Sequence, residues 1–177
     1  MNTWLNQRSM RTKLGILTLV SMISLLAIAL FLEFQQYDQS LPHRQTQVRN
    51  AVETASGVLA WAQQQEAEGK MPREQAQALA QATIGKMRYG NNEYFWINDL
   101  QGTMLMHPIK PELNGKPGET IRDPNGVLVI MEAANIGRSS AGKGFFSYLW
   151  PKPGKDKPVG KISYAQGFQP WGWVVGS

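Results

Sequence analysis

Arg88–Pro108, RYGNNEYFWINDLQGTMLMHP, decides the fold. Arg88 and Tyr89 close a helical pattern at Gly90, Asn91 and Asn92 make the break, and Glu93–Asn98 is aromatic and β-branched enough to be a strand. Asp99–Gly102 reads as the turn, with Asp99 bonding its own backbone, and Thr103–His107 as the return strand. Pro108 stops it, because proline cannot donate to a ladder. With a period of two, Tyr94 and Trp96 share one face while Phe95 and Ile97 share the other. One face is purely apolar. The other carries rings with polar tips and is the place for a small ligand.

Outward from the hairpin, the 177 residues allow one ordinary domain with appendages. The formal charge is +5, of which Arg8, Arg11 and Lys13 supply three before the first apolar run, leaving too little clustered charge for nucleic-acid binding. The chain has no cysteine, which excludes disulfides, thiolate catalysis and cysteine-bound metal centres. Its two histidines, His43 and His107, have no metal-ligand spacing around them, so no metal or cofactor is expected.

Leu14–Leu32 contains no charged residue, and at 1.5 Å per residue it reaches roughly 28 Å, about the hydrocarbon thickness of a bilayer. The expected division is a cytoplasmic tail at 1–13, a transmembrane helix at 14–34 and an extracytoplasmic domain at 35–177. The positive tail places the N-terminus in the cytoplasm and the domain outside, in the periplasm. The rival is a cleaved signal peptide ending at Ala27-Ile28-Ala29; Leu30-Phe31-Leu32 prolongs the apolar run past that site and favours the retained anchor.

Gln35–Glu68 reads as a long helix with Val48, Val52, Ala55, Leu59 and Ala62 as one stripe, kinked or interrupted at Pro42 and ended by Gly69. Pro72–Arg88 is a second helix with Ala76, Leu79, Thr83, Ile84 and Met87 on one side. Both stripes are first a packing surface, against a sheet or a partner helix; two chains pairing along Val48–Ala62 is the further expectation. A short helix fits Asp123-Pro124-Asn125 onward, with Asp123 as cap and Gly137 as end. Phe145–Trp150, Val159–Ala165 and Trp173–Ser177 complete an antiparallel sheet with helices on one side, an α+β plan.

Gly137–Gly144, GRSSAGKG, nearly spells a phosphate-binding loop. Its last position lacks the hydroxyl for magnesium, and a helix precedes it and a strand follows, the reverse of what phosphate binding at a helix N-terminus needs. Tyr94, Trp96, His107, Tyr148 and Lys152 form a donor-rich, acid-poor set suited to a small carboxylate. The set lacks a nucleophile paired with a base, and His107 with Asp99 or Glu93 is the only acid–base pairing on offer, so no catalytic residue and no enzyme is expected. A membrane-anchored structural or enzymatic exported domain with an incidental pocket is the alternative.

RYG at 88–90, YFWIND at 94–99, MHP at 106–108, PELNG at 111–115, DPNG at 123–126, YLWPKPG at 148–154, KISY at 161–164 and FQPWGWVVG at 168–176 carry a resemblance. In this order they resemble the single Cache domains, short type 2, of bacterial methyl-accepting chemotaxis receptors and sensor kinases. The resemblance implies a PAS-like antiparallel sheet with a long N-terminal helix. It also implies a site for short organic acids such as acetate, propionate, pyruvate or lactate, serving chemotaxis or signal transduction. Carried onto this chain, that site draws on Tyr94, Trp96, His107, Tyr148, Trp150 and Lys152, with Arg88 and Tyr164 at its margin. Members of the family continue into a second membrane helix and an output module, whereas this chain stops at Ser177; the expectation is a fragment of a receptor or a truncated relative.

Overall fold

A computed structural model describes residues 9–152 and 154–177, with backbone alone at 32–40. Arg8 of the positive tail and Pro153 lie outside the described residues. The chain divides into two compact units, Met1–Arg44 and Gln45–Ser177.

In the first unit, Met10–Phe31 is helical over 22 residues and, by length and composition, can cross a membrane; no residue of its most apolar window is buried in the protein. Helix α1 is assigned over Met10–Ala67 and includes Pro42. It ends in a Schellman motif: Gly69 takes φ 70°, its N–H bonds the Glu66 carbonyl at 2.9 Å, and the Lys70 N–H bonds Gln65 at 2.9 Å.

The second unit is a five-stranded antiparallel sheet with helices on both faces. The strands are β1 (Trp96–Asp99), β2 (Met104–Met106), β3 (Lys143–Pro151), β4 (Pro158–Phe168) and β5 (Trp173–Gly176), in the order β2-β1-β5-β4-β3. Asp99 closes the β1–β2 turn as its position predicts, accepting the Thr103 N–H on Oδ1 at 2.6 Å. Alternation then sorts the side chains. Phe95, Ile97, Tyr164 and Val175 face the α1 stripe Val48, Val52, Ala55, Leu59 and Ala62, together with Ala76, Ala80 and Ile84 of α2 (Arg73–Lys86). Trp96, Tyr148, Ala165 and Val174 face the other way, toward Val129, Ile130 and Ala133 of α3 (Val129–Arg138).

Four expectations change. Helices cover both faces rather than one, because the apolar side of α3 packs on the face away from α1. The α1 stripe is spent inside its own domain, each residue no more than 6% exposed, so it is closed to a partner chain. On α2 the buried line is Ala76-Ala80-Ile84, while Leu79 and Thr83 are exposed. And Asp123 starts a turn instead of a helix: Oδ1 accepts the N–H groups of Asn125 and Val127, Oδ2 accepts that of Leu149 at 2.9 Å, and α3 begins only at Val129. The GRSSAGKG stretch does join a helix to a strand, with Lys143 and Gly144 already in β3.

Gly176 is required where it stands. It pairs with Trp96, and a Cβ there would lie 2.3 Å from the indole ring. The ring lies across the glycine and so is held flat on β5.

Candidate functional site

On the α3 side of the sheet, sharing Trp96 and Tyr148 with the packed cluster, six rings and one amine form a closed circuit. Trp96 meets Phe146 at 6.5 Å between centroids, Phe146 stacks on Tyr148 at 5.3 Å, and Tyr148 meets Trp150 at 6.0 Å. Trp150 approaches His107 at 6.4 Å, and His107 approaches Tyr94 at 5.0 Å. Lys161 closes the circle, its Nζ 4.5 Å above the Tyr94 ring and 5.9 Å above that of Trp96. The alternation of β3 presents Phe146, Tyr148 and Trp150 on one face, and β4 sets Lys161 opposite Tyr148.

The polar tips are constrained one by one. His107 Nδ1 accepts the backbone N–H of Ile109 at 3.2 Å and of Lys110 at 3.0 Å, while its own backbone N–H donates to Asn114 Oδ1 at 2.8 Å. With Nδ1 occupied as an acceptor, the neutral ring carries its proton on Nε2 and is a donor there. Burial lowers the imidazole pKa to about 4, with Lys161 and Lys110 adding to the effect, so the ring is uncharged at neutral pH. Ser163 Oγ donates to the Tyr148 hydroxyl at 3.1 Å, which leaves that hydroxyl's own hydrogen to be given elsewhere. Burial holds both phenols protonated, Tyr94 at about 12 and Tyr148 above its ordinary range. Trp96 donates its N–H to Asn98 Oδ1 at 3.1 Å and so offers the circuit only its ring face.

Lys161 carries the charge. Its side chain is 16% exposed, and burial lowers its pKa against the opposing influence of Glu93, whose Oε2 lies 3.8 Å from Nζ. A second cation, Lys110, stands 4.9 Å over the Trp150 ring. The circuit is thus lined by donors and aromatic faces, with one carboxylate at its margin. Among the described residues, no cluster of three His, Asp or Glu side chains could hold a metal ion.

Residues 41–177 match the family model described as Single Cache domain 2. The chain belongs to that family. Over all 177 residues it is 40% identical to the methyl-accepting chemotaxis protein McpP of Pseudomonas putida, of which it spans 32%, about a third of the length. Among solved structures, it matches a periplasmic sensor domain of a chemotaxis protein with TM-score 0.75 and 44% identity, covering 78% of this chain and 95% of the other. It also matches a Cache chemosensory domain described for its carboxylic acid recognition, with TM-score 0.73 and 45% identity, covering 78% of this chain and 94% of that one.

Of the residues singled out in the sequence, this Cache domain brings together Tyr94, Trp96, His107, Tyr148 and Trp150. It does not bring in the other three. Lys152 is exposed in the β3–β4 loop, where its carbonyl accepts the Lys155 N–H at 2.9 Å. Tyr164 lies on the opposite face of β4, against Phe145 at 4.7 Å. Arg88 is exposed and donates to the carbonyls of Gly85 and Met87 at the end of α2.

Lys161, Lys110 and Ser163 were missed. For Lys161 and Ser163 the signal was in KISY all along: if Ala165 and Tyr164 face opposite ways, Lys161 and Ser163 must face with Ala165. Lys110 has no comparable signal, since it sits in a loop whose course only the fold defines.

Proposed function

We propose that this chain supplies the extracytoplasmic ligand-binding domain of a chemoreceptor-type transmembrane protein, and that its ligand is a short organic acid such as acetate, propionate, pyruvate or lactate. The observation that carries the reading is the circuit of rings closed by the half-buried Lys161. The ammonium, the His107 Nε2–H and the Tyr148 O–H are charge-assisted partners for a carboxylate, and the rings of Trp96, Tyr94 and Trp150 suit a short carbon tail. The reported carboxylic acid recognition by a domain 45% identical to this one supports the same chemistry.

The anchor is the Met10–Phe31 helix, and Arg11 and Lys13 at its start support an N-terminus in the cytoplasm with the domain in the periplasm. Two copies pair along α1 through the side opposite the buried stripe, where Trp61 is 48% exposed. Binding signals to the extent that the acid favours one conformation of the site over another.

Titration calorimetry on the chain in detergent micelles, with each of the four acids, tests this. Saturable binding with a dissociation constant between about 1 mM and 1 μM is the expected result. Heat no different from buffer for all four acids overturns it.

A further inference from the structure

The reading above leaves open which anions the site refuses, and the charges around the ring circuit address that. Two cations stand at the circuit, Lys161 over Tyr94 and Trp96 and Lys110 over Trp150. One carboxylate faces them, Glu93, 3.8 Å from the Lys161 ammonium and 34% exposed. Its backbone is clamped: the Glu93 N–H donates to the Tyr89 carbonyl at 2.9 Å and the Tyr89 N–H to the Glu93 carbonyl at 3.1 Å. Gly90 and Asn92 turn the chain between them with φ of 51° and 68°. Glu93 is therefore carried on a tight turn at a set place beside Lys161. Arg88, the remaining nearby cation, is exposed and bonded to the carbonyls at the end of α2.

We infer that Glu93 is a specificity-determining residue that confines the site to anions of a single charge. With two cations and one built-in carboxylate, the circuit has room for one further negative charge. A monocarboxylate supplies it. A dicarboxylate adds a second, which is repelled by the Glu93 carboxylate held beside Lys161. His107, neutral there, offers that second charge a hydrogen bond and no cation. The exclusion rests on repulsion built into the site, the usual way a binding site gains discrimination that attraction alone does not provide.

This inference depends on the proposed acid binding, and one experiment separates the two. Propionate and malonate share a three-carbon skeleton and differ by one carboxylate. Their dissociation constants are measured by calorimetry on the micelle-embedded chain, for the parent and for Glu93→Gln, Glu93→Ala and Glu93→Asp, with circular dichroism to verify folding. The parent is expected to favour propionate over malonate by at least about tenfold, and Glu93→Gln and Glu93→Ala each to narrow that ratio by about tenfold, the effect of one charge-sized term of about 1.4 kcal/mol. Glu93→Asp keeps the ratio. A ratio unchanged in folded Gln and Ala variants overturns the inference while acid binding stands, as does loss of propionate binding in both. If the parent binds neither propionate nor any other short acid, the proposed function falls and this inference with it.

Discussion

The Lys161 ammonium stands 4.5 Å above the ring centroid of Tyr94, a cation on an aromatic face at the end of two different strands' worth of chain. Lys161 comes from β4 and Tyr94 from the segment entering β1, and β5 lies between those strands in the sheet. Such a contact contributes roughly 0.5–2 kcal/mol and, more to the point, fixes where the charge sits.

Lys161→Met keeps the stem and removes the charge. It is expected to weaken propionate binding roughly ten- to hundredfold, the size of a lost charged hydrogen bond. Lys152→Ala, in the exposed loop, is expected to leave the dissociation constant unchanged. Calorimetry on the two variants side by side decides between the two lysines.

His107 makes a pH prediction. The folded protein holds its imidazole neutral down to about pH 4, whereas in the unfolded chain it takes up a proton below about 6.5. Between those values the unfolded state binds the extra proton, so stability is lost as pH falls from 6.5 to 4 and returns as pH rises. The window corresponds to on the order of 3 kcal/mol. Urea melts of parent and His107→Gln across pH 4–7 should show this slope in the parent and a shallower one in the variant.

Gly176→Ala is expected to destabilise the domain by about 1–3 kcal/mol, because its methyl group would displace the Trp96 ring that lies 2.3 Å from the Cβ position. A reduced denaturation midpoint, accompanied by weaker acid binding, is the expected readout. An unchanged midpoint would mean that the indole does not rest on β5.

Leu59 and Trp61 are two residues apart on α1 and differ in what they face. Leu59 is fully buried against the sheet, and Leu59→Ala should cost about 2–5 kcal/mol. Trp61 is 48% exposed, and Trp61→Ala should change stability by no more than about 0.5 kcal/mol while weakening any pairing along α1. Chemical denaturation and cysteine crosslinking at position 61 measure the two effects.

Local chemistry made much of this domain legible. The turn at Asp99, the opposed faces of Phe95 and Trp96, the apolar helix and the glycine stop at Gly69 all follow from rules acting over a few residues, and each stands as read. The apolar stripe of α1 was equally legible as a stripe, though periodicity cannot say whether a sheet or a second chain covers it. The start of α3 was misplaced because Asp123 suits a turn as well as a helix cap, and the choice fell to its bond with Leu149, 26 residues away.

The sequence by itself determined the types of group available for binding and the strands on which most of them ride, because composition and a period of two are local properties. Only the tertiary structure decided which amine meets the rings. Lys152 and Lys161 are both lysines near aromatic residues in the same hairpin, and the register that pairs Tyr148 with Lys161, while Lys152 falls beyond the strand's end, places one inside the circuit and the other in solvent. Register is set by the packing of whole faces against α1 and α3, a condition that no short stretch of chain contains.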